Sequence, residues 1–234
     1  MIKALIFDFD GLILDTETHE YEVLQEMFEE HGSTLPLSVW GKVIGTAAGF
    51  KPFAYLEEQL GRKLDHDELT AIRRGRFEQR MKTETARPGV EAYLAAAKEL
   101  GLKVGLASSS DFKWVSGHLK ELGLFDEFEV IQTADDVEEV KPNPELYLKA
   151  AEHLGVEPSE CLAFEDSVNG SIAAKRAGMK CVIVPNKVTS ALLFKEYDHR
   201  LESMAEMELE LLLQRLNDQN EPAGGSRHCL RNLI

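Results

Sequence analysis

The sequence predicts an α/β fold, a Rossmann-like parallel sheet core with an inserted helical cap domain, and three observations carry that prediction. Short apolar runs without a helical period recur at residues 3–9 (KALIFDF), Lys103–Ala107 (KVGLA), 161–164 (CLAF) and 180–184 (KCVIV), as buried parallel strands do. Each run precedes a helix-like segment, which is the rhythm of βαβ units. One interval of about 70 residues between the first run and the Arg87-Pro88-Gly89 turn breaks that rhythm, and no ordinary βα connection is so long.

Element by element, the first strand ends in acid at Asp8 and Asp10. Residues 17–31 then place Tyr21, Leu24, Met27 and Phe28 near one helix face, and Asp65-His66-Asp67-Glu68 has the composition of a capped helix start. Residues 16–86 therefore read as a helical insertion. The first 31 residues hold nine acids against one lysine, and most fall opposite the apolar stripe, as on a solvated helix face. Further on, Gly101, Gly123, Gly155 and Gly178 stand where helices should stop, and Asn143-Pro144 offers an N-cap followed by a first-turn proline. Residues 204–216 read as one amphipathic helix. The expected division is a discontinuous core of residues 1–15 and 87–216, a cap of residues 16–86, and a loose polar tail of residues 217–234 (NDQNEPAGGSRHCLRNLI).

The 234 residues are 44% hydrophobic and 29% charged, and 26 Lys plus Arg against 41 Asp plus Glu give a net charge of −15. Such a field disfavours nucleic acid and anionic membrane surfaces as partners. No uncharged apolar run reaches the roughly 18 residues of a membrane span, and the N-terminus lacks a signal-peptide pattern, so a cytoplasmic location is expected. The three cysteines, Cys161, Cys181 and Cys229, suggest neither a disulfide framework nor a zinc site.

Chemistry-bearing residues gather at the strand ends: Asp8 and Asp10 after the first, Ser108, Ser109 and Ser110 after the second, Glu165 and Asp166 after the fourth, with Lys141 joining from a loop. In an open parallel sheet these positions converge on one crevice. Singly, an Asp or Ser after a strand is an ordinary cap or turn residue. Four acids at one edge would repel one another unless a cation sat among them, and oxygen ligands with retained water point to Mg2+, beside a lysine and a hydroxyl suited to phosphate. Neither a GxxxxGK[ST] nor a GxGxxG loop is present.

Asp8-Phe9-Asp10-Gly11, Ser108, Lys141-Pro142 and Glu165-Asp166-Ser167 resemble, in order, the four motifs of the haloacid dehalogenase superfamily. The Asp15-Thr16-Glu17 sequence and the stretch FEDSVNGSIAAKRAGM resemble its β-phosphoglucomutase and phosphoglycolate phosphatase branch. The resemblance implies a Mg2+-dependent phosphatase acting on a small phosphomonoester, a sugar or polyol phosphate or a phosphoglycolate-like metabolite. Asp8 would be the nucleophile and Asp10 the general acid and base. The metal would lie among Asp8, the Asp10 backbone carbonyl and Asp166, with Glu165 either a ligand or a neighbour orienting one. Ser108, Lys141 and backbone N–H groups near Ser109 and Gly11 would hold phosphate.

Substrate choice would lie in the cap, where Glu20, Thr46 and Lys51 are the leading candidates, and His19, Lys42, Arg73, Arg74 and Arg76 are others. Ser110 and Asn169 also fit ordinary helix caps. A mutase is the alternative, although Glu20 and Ala48 stand where β-phosphoglucomutases carry a histidine and an arginine. A non-enzymatic phosphoacceptor receiver shares the acids, lysine and Mg2+ but lacks the long insertion. The chain is expected to work as a monomer, with a homodimer as the alternative.

Overall fold

The computed structural model describes residues 1–46 and 49–218. Its elements in chain order are β1 (Ala4–Phe7), α1 (Thr16–Glu30), α2 (Leu37–Trp40), α3 (Pro52–Leu60), α4 (His66–Met81), α5 (Val90–Glu99), β2 (Lys103–Ala107), α6 (Phe112–Glu121), β3 (Val130–Gln132), α7 (Glu145–Leu154), β4 (Cys161–Glu165), α8 (Val168–Arg176), β5 (Lys180–Ile183), β6 (His199–Arg200) and α9 (Leu209–Asp218). The strands form one parallel sheet in the order β3-β2-β1-β4-β5-β6. β2 and β3 thus lie on one side of β1 and β4 to β6 on the other. The chain changes direction across the sheet between β1 and β4, which is where ligands bind in open α/β sheets.

Alternation along the strands decides which helices cover which face. Leu5 and Phe7 of β1, with Leu106, Leu162, Phe164 and Val182, point into a core closed by α5, α6 and α9. There Phe7 stacks on Phe164 with ring centroids 5.0 Å apart. Ala4 and Ile6, with Ala163, Cys181 and Ile183, face a second core closed by α7 and α8. Between β1 and α5 the helices gather around a core of their own, with Tyr21, Leu24, Met27 and Phe28 from α1 against Ile44, Phe53, Leu56 and Leu69.

Asp15 caps α1 by accepting from Thr18 N at 3.2 Å, and Asp65 caps α4 as its sequence suggests. The acids of α1 are not simply solvated. Arg73, Arg76 and Arg80 recur every three to four residues on α4, and pair with Glu20, Glu30, and Glu22 plus Glu26 respectively. The ladder orients α4 along α1; exposed pairs of this kind contribute about 0–1 kcal/mol each.

Several expected boundaries move. β1 stops at Phe7, leaving Asp8 and Phe9 beyond it. β3 and β6, three and two residues long, are too short to show a period in sequence. Pro144 rather than Asn143 is the N-cap of α7, and Asn143 accepts from Glu145 N at 3.0 Å. The single helix expected over residues 204–216 divides into a 3-10 turn at Met204–Glu206 and α9, which runs on to Asp218, so Asn217 and Asp218 belong to a helix rather than to the tail. The rest of the tail, with Cys229, lies outside the described residues. The four glycines read as helix stops follow α5, α6, α7 and α8 with positive φ. Among the described residues no helix is long and apolar enough to cross a membrane.

Candidate active site

Every strand of the central group delivers a polar residue to the same edge. Asp8 N donates to Phe164 O at 3.0 Å and so extends the β1–β4 ladder by one rung beyond β1. Ser108 N does the same toward Gln132 O at 2.9 Å, Glu165 ends β4, and Asp166 follows it. Lys141 reaches in from the loop preceding α7. All of these side chains are buried.

Lys141 Nζ donates to Asp8 Oδ1 and, at 2.7 Å, to Glu165 Oε1. Tyr147 Oη also donates to Glu165 Oε1, at 2.5 Å, and Ser167 Oγ to Oε2 at 3.1 Å. A Cβ at position 170 would collide with the Glu165 carboxylate, so only glycine lets α8 begin this close to it. Burial pulls the Lys141 ammonium down, but the Asp8 and Glu165 carboxylates outweigh it and hold the group above the usual lysine range.

The acids respond in the opposite sense. Burial, then the neighbouring Glu165, pushes Asp8 up to about 8 despite Lys141, and burial with Asp8 and Glu165 nearby lifts Asp166 well above the carboxylate range. Asp166 Oδ2 accepts from Asn186 Nδ2 at 2.7 Å, whereas Asp166 Oδ1 is buried with no hydrogen-bond partner. Oxygens of Asp8, Glu165 and Asp166 lie within 4.8 Å of one another. When all three are ionised, the Lys141 ammonium pairs with Asp8 and Glu165, and the Arg87 guanidinium, whose hydrogen bonds go to backbone carbonyls, only partly offsets Asp166, so the cluster keeps an excess of negative charge. A buried orphan oxygen and that charge excess together fit a hard divalent cation.

Asp10 lies at the open side. Its Oδ1 accepts from Trp114 Nε1 at 2.9 Å and Thr16 Oγ1 at 3.0 Å, and its Oδ2 from Ser110 Oγ at 2.6 Å and, more loosely, Ser108 Oγ at 3.4 Å. The indole can only donate, so Oδ1 is fixed as an acceptor. Hydroxyls rotate and can accept as well as donate, so Oδ2 is the oxygen free to hold a proton.

A cavity of about 790 Å³ opens beside Asp8 and Asp10, bounded by Ser108, Ser109, Ser110 and Thr16 on one side and by Glu20, Thr46, Thr70 and Arg73 on the other. Trp40, Phe50, Phe77 and Trp114 give it apolar walls.

The site corrects several expectations. Gly11 N–H donates to Leu14 O at 2.7 Å within its turn, so it is not aimed at phosphate; its φ of +81° and contact with Asp166 require glycine for shape. Ser109 Oγ donates to Gly45 O at 3.0 Å, so its hydroxyl is spent on the loop ahead of α3, although its backbone N–H has no carbonyl partner among the described residues. Ser110 binds Asp10 and Asn169 bonds Lys42 O and Ile44 O, while Asp111 and Ser167 make the caps. Glu20 and Thr46 line the cavity; Lys51 and Lys42 are exposed and do not. Ala48 lies outside the described residues. Sequence reading passed over Arg87, whose guanidinium ties Gly11 O to Val184 O and Pro185 O, and over Asn186, Tyr147 and Trp114. Asn186, just past β5, carried the same strand-end signal as the rest.

A model of the haloacid dehalogenase-like hydrolase family matches residues 5–184. The chain belongs to that family. Among similar hydrolases, "Putative phosphatase YhcW" of Bacillus subtilis (strain 168) is 83% identical over 220 residues, covering 94% of this chain and all of that protein. Hexitol phosphatase B of Escherichia coli (strain K12) is 32% identical over 229 residues, 91% of this chain and 97% of its own length. The crystal structure of CbbY from Rhodobacter sphaeroides in complex with phosphate superposes with a TM-score of 0.68 at 29% identity, covering 88% of this chain and 96% of that one.

Proposed function

We propose that this hydrolase is a Mg2+-dependent phosphatase that cleaves a small sugar or polyol phosphate, with residues 16–86 acting as a cap over the site. The observation that carries the reading is the buried Asp8 carboxylate, held by Lys141 at the mouth of a cavity that Asp10 also faces. The names of the relatives, phosphatases of small phosphorylated metabolites among them, support the same class.

Asp8 attacks phosphorus, an Asp8–O–P bond forms, and the ester P–O bond breaks with its electron pair going to the leaving oxygen. That oxygen takes a proton from Asp10. Water then attacks phosphorus, gives its proton to Asp10 and releases inorganic phosphate, restoring the Asp8 carboxylate. Ser108 and the Ser109 N–H sit where they can donate to the transferring oxygens, and Lys141 offsets their charge. Asp8 and Asp166 would hold Mg2+, with Glu165 keeping Lys141 in place. When bound, the ion neutralises charge that builds on the phosphoryl group.

Phosphate release from sugar phosphates, hexitol phosphates, phosphoglycolate and nucleotides, with Mg2+ or EDTA, tests the reading. Release from sugar or polyol esters that EDTA abolishes is the expected result. Isomerisation of β-glucose 1-phosphate primed with its bisphosphate, without net release, would replace the phosphatase by a mutase; inactivity on every ester would overturn both.

The metal reading has its own check. Without a cation Asp8 ionises near 8 instead of 3.8, so the folded state holds a proton that the unfolded chain has lost. Its stability therefore falls as pH rises between those values. Mg2+ competes with that proton, and only the folded protein offers the site. Millimolar Mg2+ should raise the melting temperature more at about pH 8 than at about pH 6, and Asp166→Asn should remove the gain, both read by thermal-shift titration. An equal shift at both pH values would exclude Asp8 as a ligand.

A further inference from the structure

Asp10 must present the same oxygen to the leaving group and then to water, and nothing in its own short side chain fixes which oxygen that is. Trp114 supplies a fixed reference. Its Nε1–H points at Asp10 Oδ1 from 2.9 Å, and an indole cannot reverse that bond as the surrounding hydroxyls can. The ring has little freedom to leave. It packs edge-on against His118 with centroids 4.3 Å apart and against Phe77 of α4 at 5.9 Å. A second cavity of about 470 Å³, lined by Leu14, Met81, His118 and Leu122, also meets Trp114 and Phe77, which with Glu78 line both spaces. Asp111 at the N-cap of α6 receives the Trp114 backbone N–H at 2.8 Å and anchors the first turn from which the indole projects.

We propose that Trp114 is a positioning residue that locks the rotation of the Asp10 carboxyl, keeping Oδ2 turned to Ser108 and Ser110 at the cavity, with Phe77 holding the indole from the α4 side. This rests on the phosphatase reading above, since it assigns a task to Asp10. Losing the N–H frees the carboxyl to turn, and proton delivery to the leaving oxygen becomes infrequent. The attack of Asp8, which Trp114 does not touch, keeps its rate wherever the leaving group needs no proton.

Trp114→Phe in the Mg2+-loaded full chain tests this, with site-specific incorporation of benzothienylalanine at position 114 as a second variant that keeps the ring shape and deletes only the N–H. For a sugar or hexitol phosphate, whose alkoxide must be protonated, kcat should fall by about 10- to 100-fold with KM within about two-fold. With 4-nitrophenyl phosphate, whose phenolate leaves unaided, the pre-steady-state burst of nitrophenolate should keep its wild-type rate. An equal slowing of burst and sugar phosphate turnover would show a merely structural residue, and unchanged kinetics on both substrates would show that the bond is idle; either overturns the proposal. Failure of the underlying reading looks different, because the unmodified enzyme would then release no phosphate from any ester.

Discussion

Asp8→Asn should abolish phosphate release, with a loss of about 10⁴-fold or more in kcat, while the protein stays folded. An amide is a poor nucleophile and cannot form the acyl phosphate, so no partial pathway through position 8 remains. The fold has reason to tolerate the change. The Asn carbonyl can still accept from Lys141, and the substitution removes one of the two carboxylates that contact its ammonium. Because the lost group is one that burial pushes up to about 8, the melting temperature of the cation-free variant should equal or exceed that of the wild type at about pH 8. Steady-state phosphate assays and thermal melts in EDTA check both parts. Retention of more than about a tenth of the activity would move the nucleophile elsewhere.

Lys141→Met should damage activity and stability together, which separates it from the Asp8 variant. Lys141 is 1% exposed and touches two carboxylates, so its removal leaves buried negative charge without a partner. Breaking a buried pair in this way costs about 3–5 kcal/mol. The sign with pH follows from Asp8: its folded value, already above the unfolded one, rises further without the ammonium. The variant's deficit should therefore be smallest at mildly acid pH, where the folded carboxyl is protonated, and grow as pH rises. Urea melts at about pH 6 and about pH 9 measure this, and kcat should fall by about 10³-fold with the loss of charge compensation. A deficit that is flat with pH would mean that the ammonium does not compensate Asp8.

The parts of the fold legible in sequence were those with a local cause. Lys103–Ala107 carries its own apolar run and is a strand over those residues, and Asp65 announces α4 because an N-cap needs only its neighbours. β3 and β6 exist because β2 and β5 offer them edges, a cause that lies in another part of the chain. The site divides the same way. Asp8, Asp10, Ser108, Glu165 and Asp166 were readable because the strand ends that carry them are readable, Lys141 on its loop because Lys141-Pro142 resembles a family motif, and the structure brings them together. Trp114 and Arg87 were not, because their work consists of one long side chain crossing to a distant loop. Arg73, Arg74 and Arg76 of α4 are substrate candidates by sequence; spacing on a helix face cannot say whether a partner is a metabolite or a neighbouring helix, and here Arg73 and Arg76 meet α1 while Arg73 and Arg74 also line the cavity.

The bonds from Ser109 to Gly45 and from Asn169 to Lys42 and Ile44 join the sheet edge to the loop ahead of α3. Three neutral hydrogen bonds amount to a few kcal/mol at most. One member of that clasp, Ser109, also lines the cavity, so a substitution at position 109 acts on the loop and on the site together.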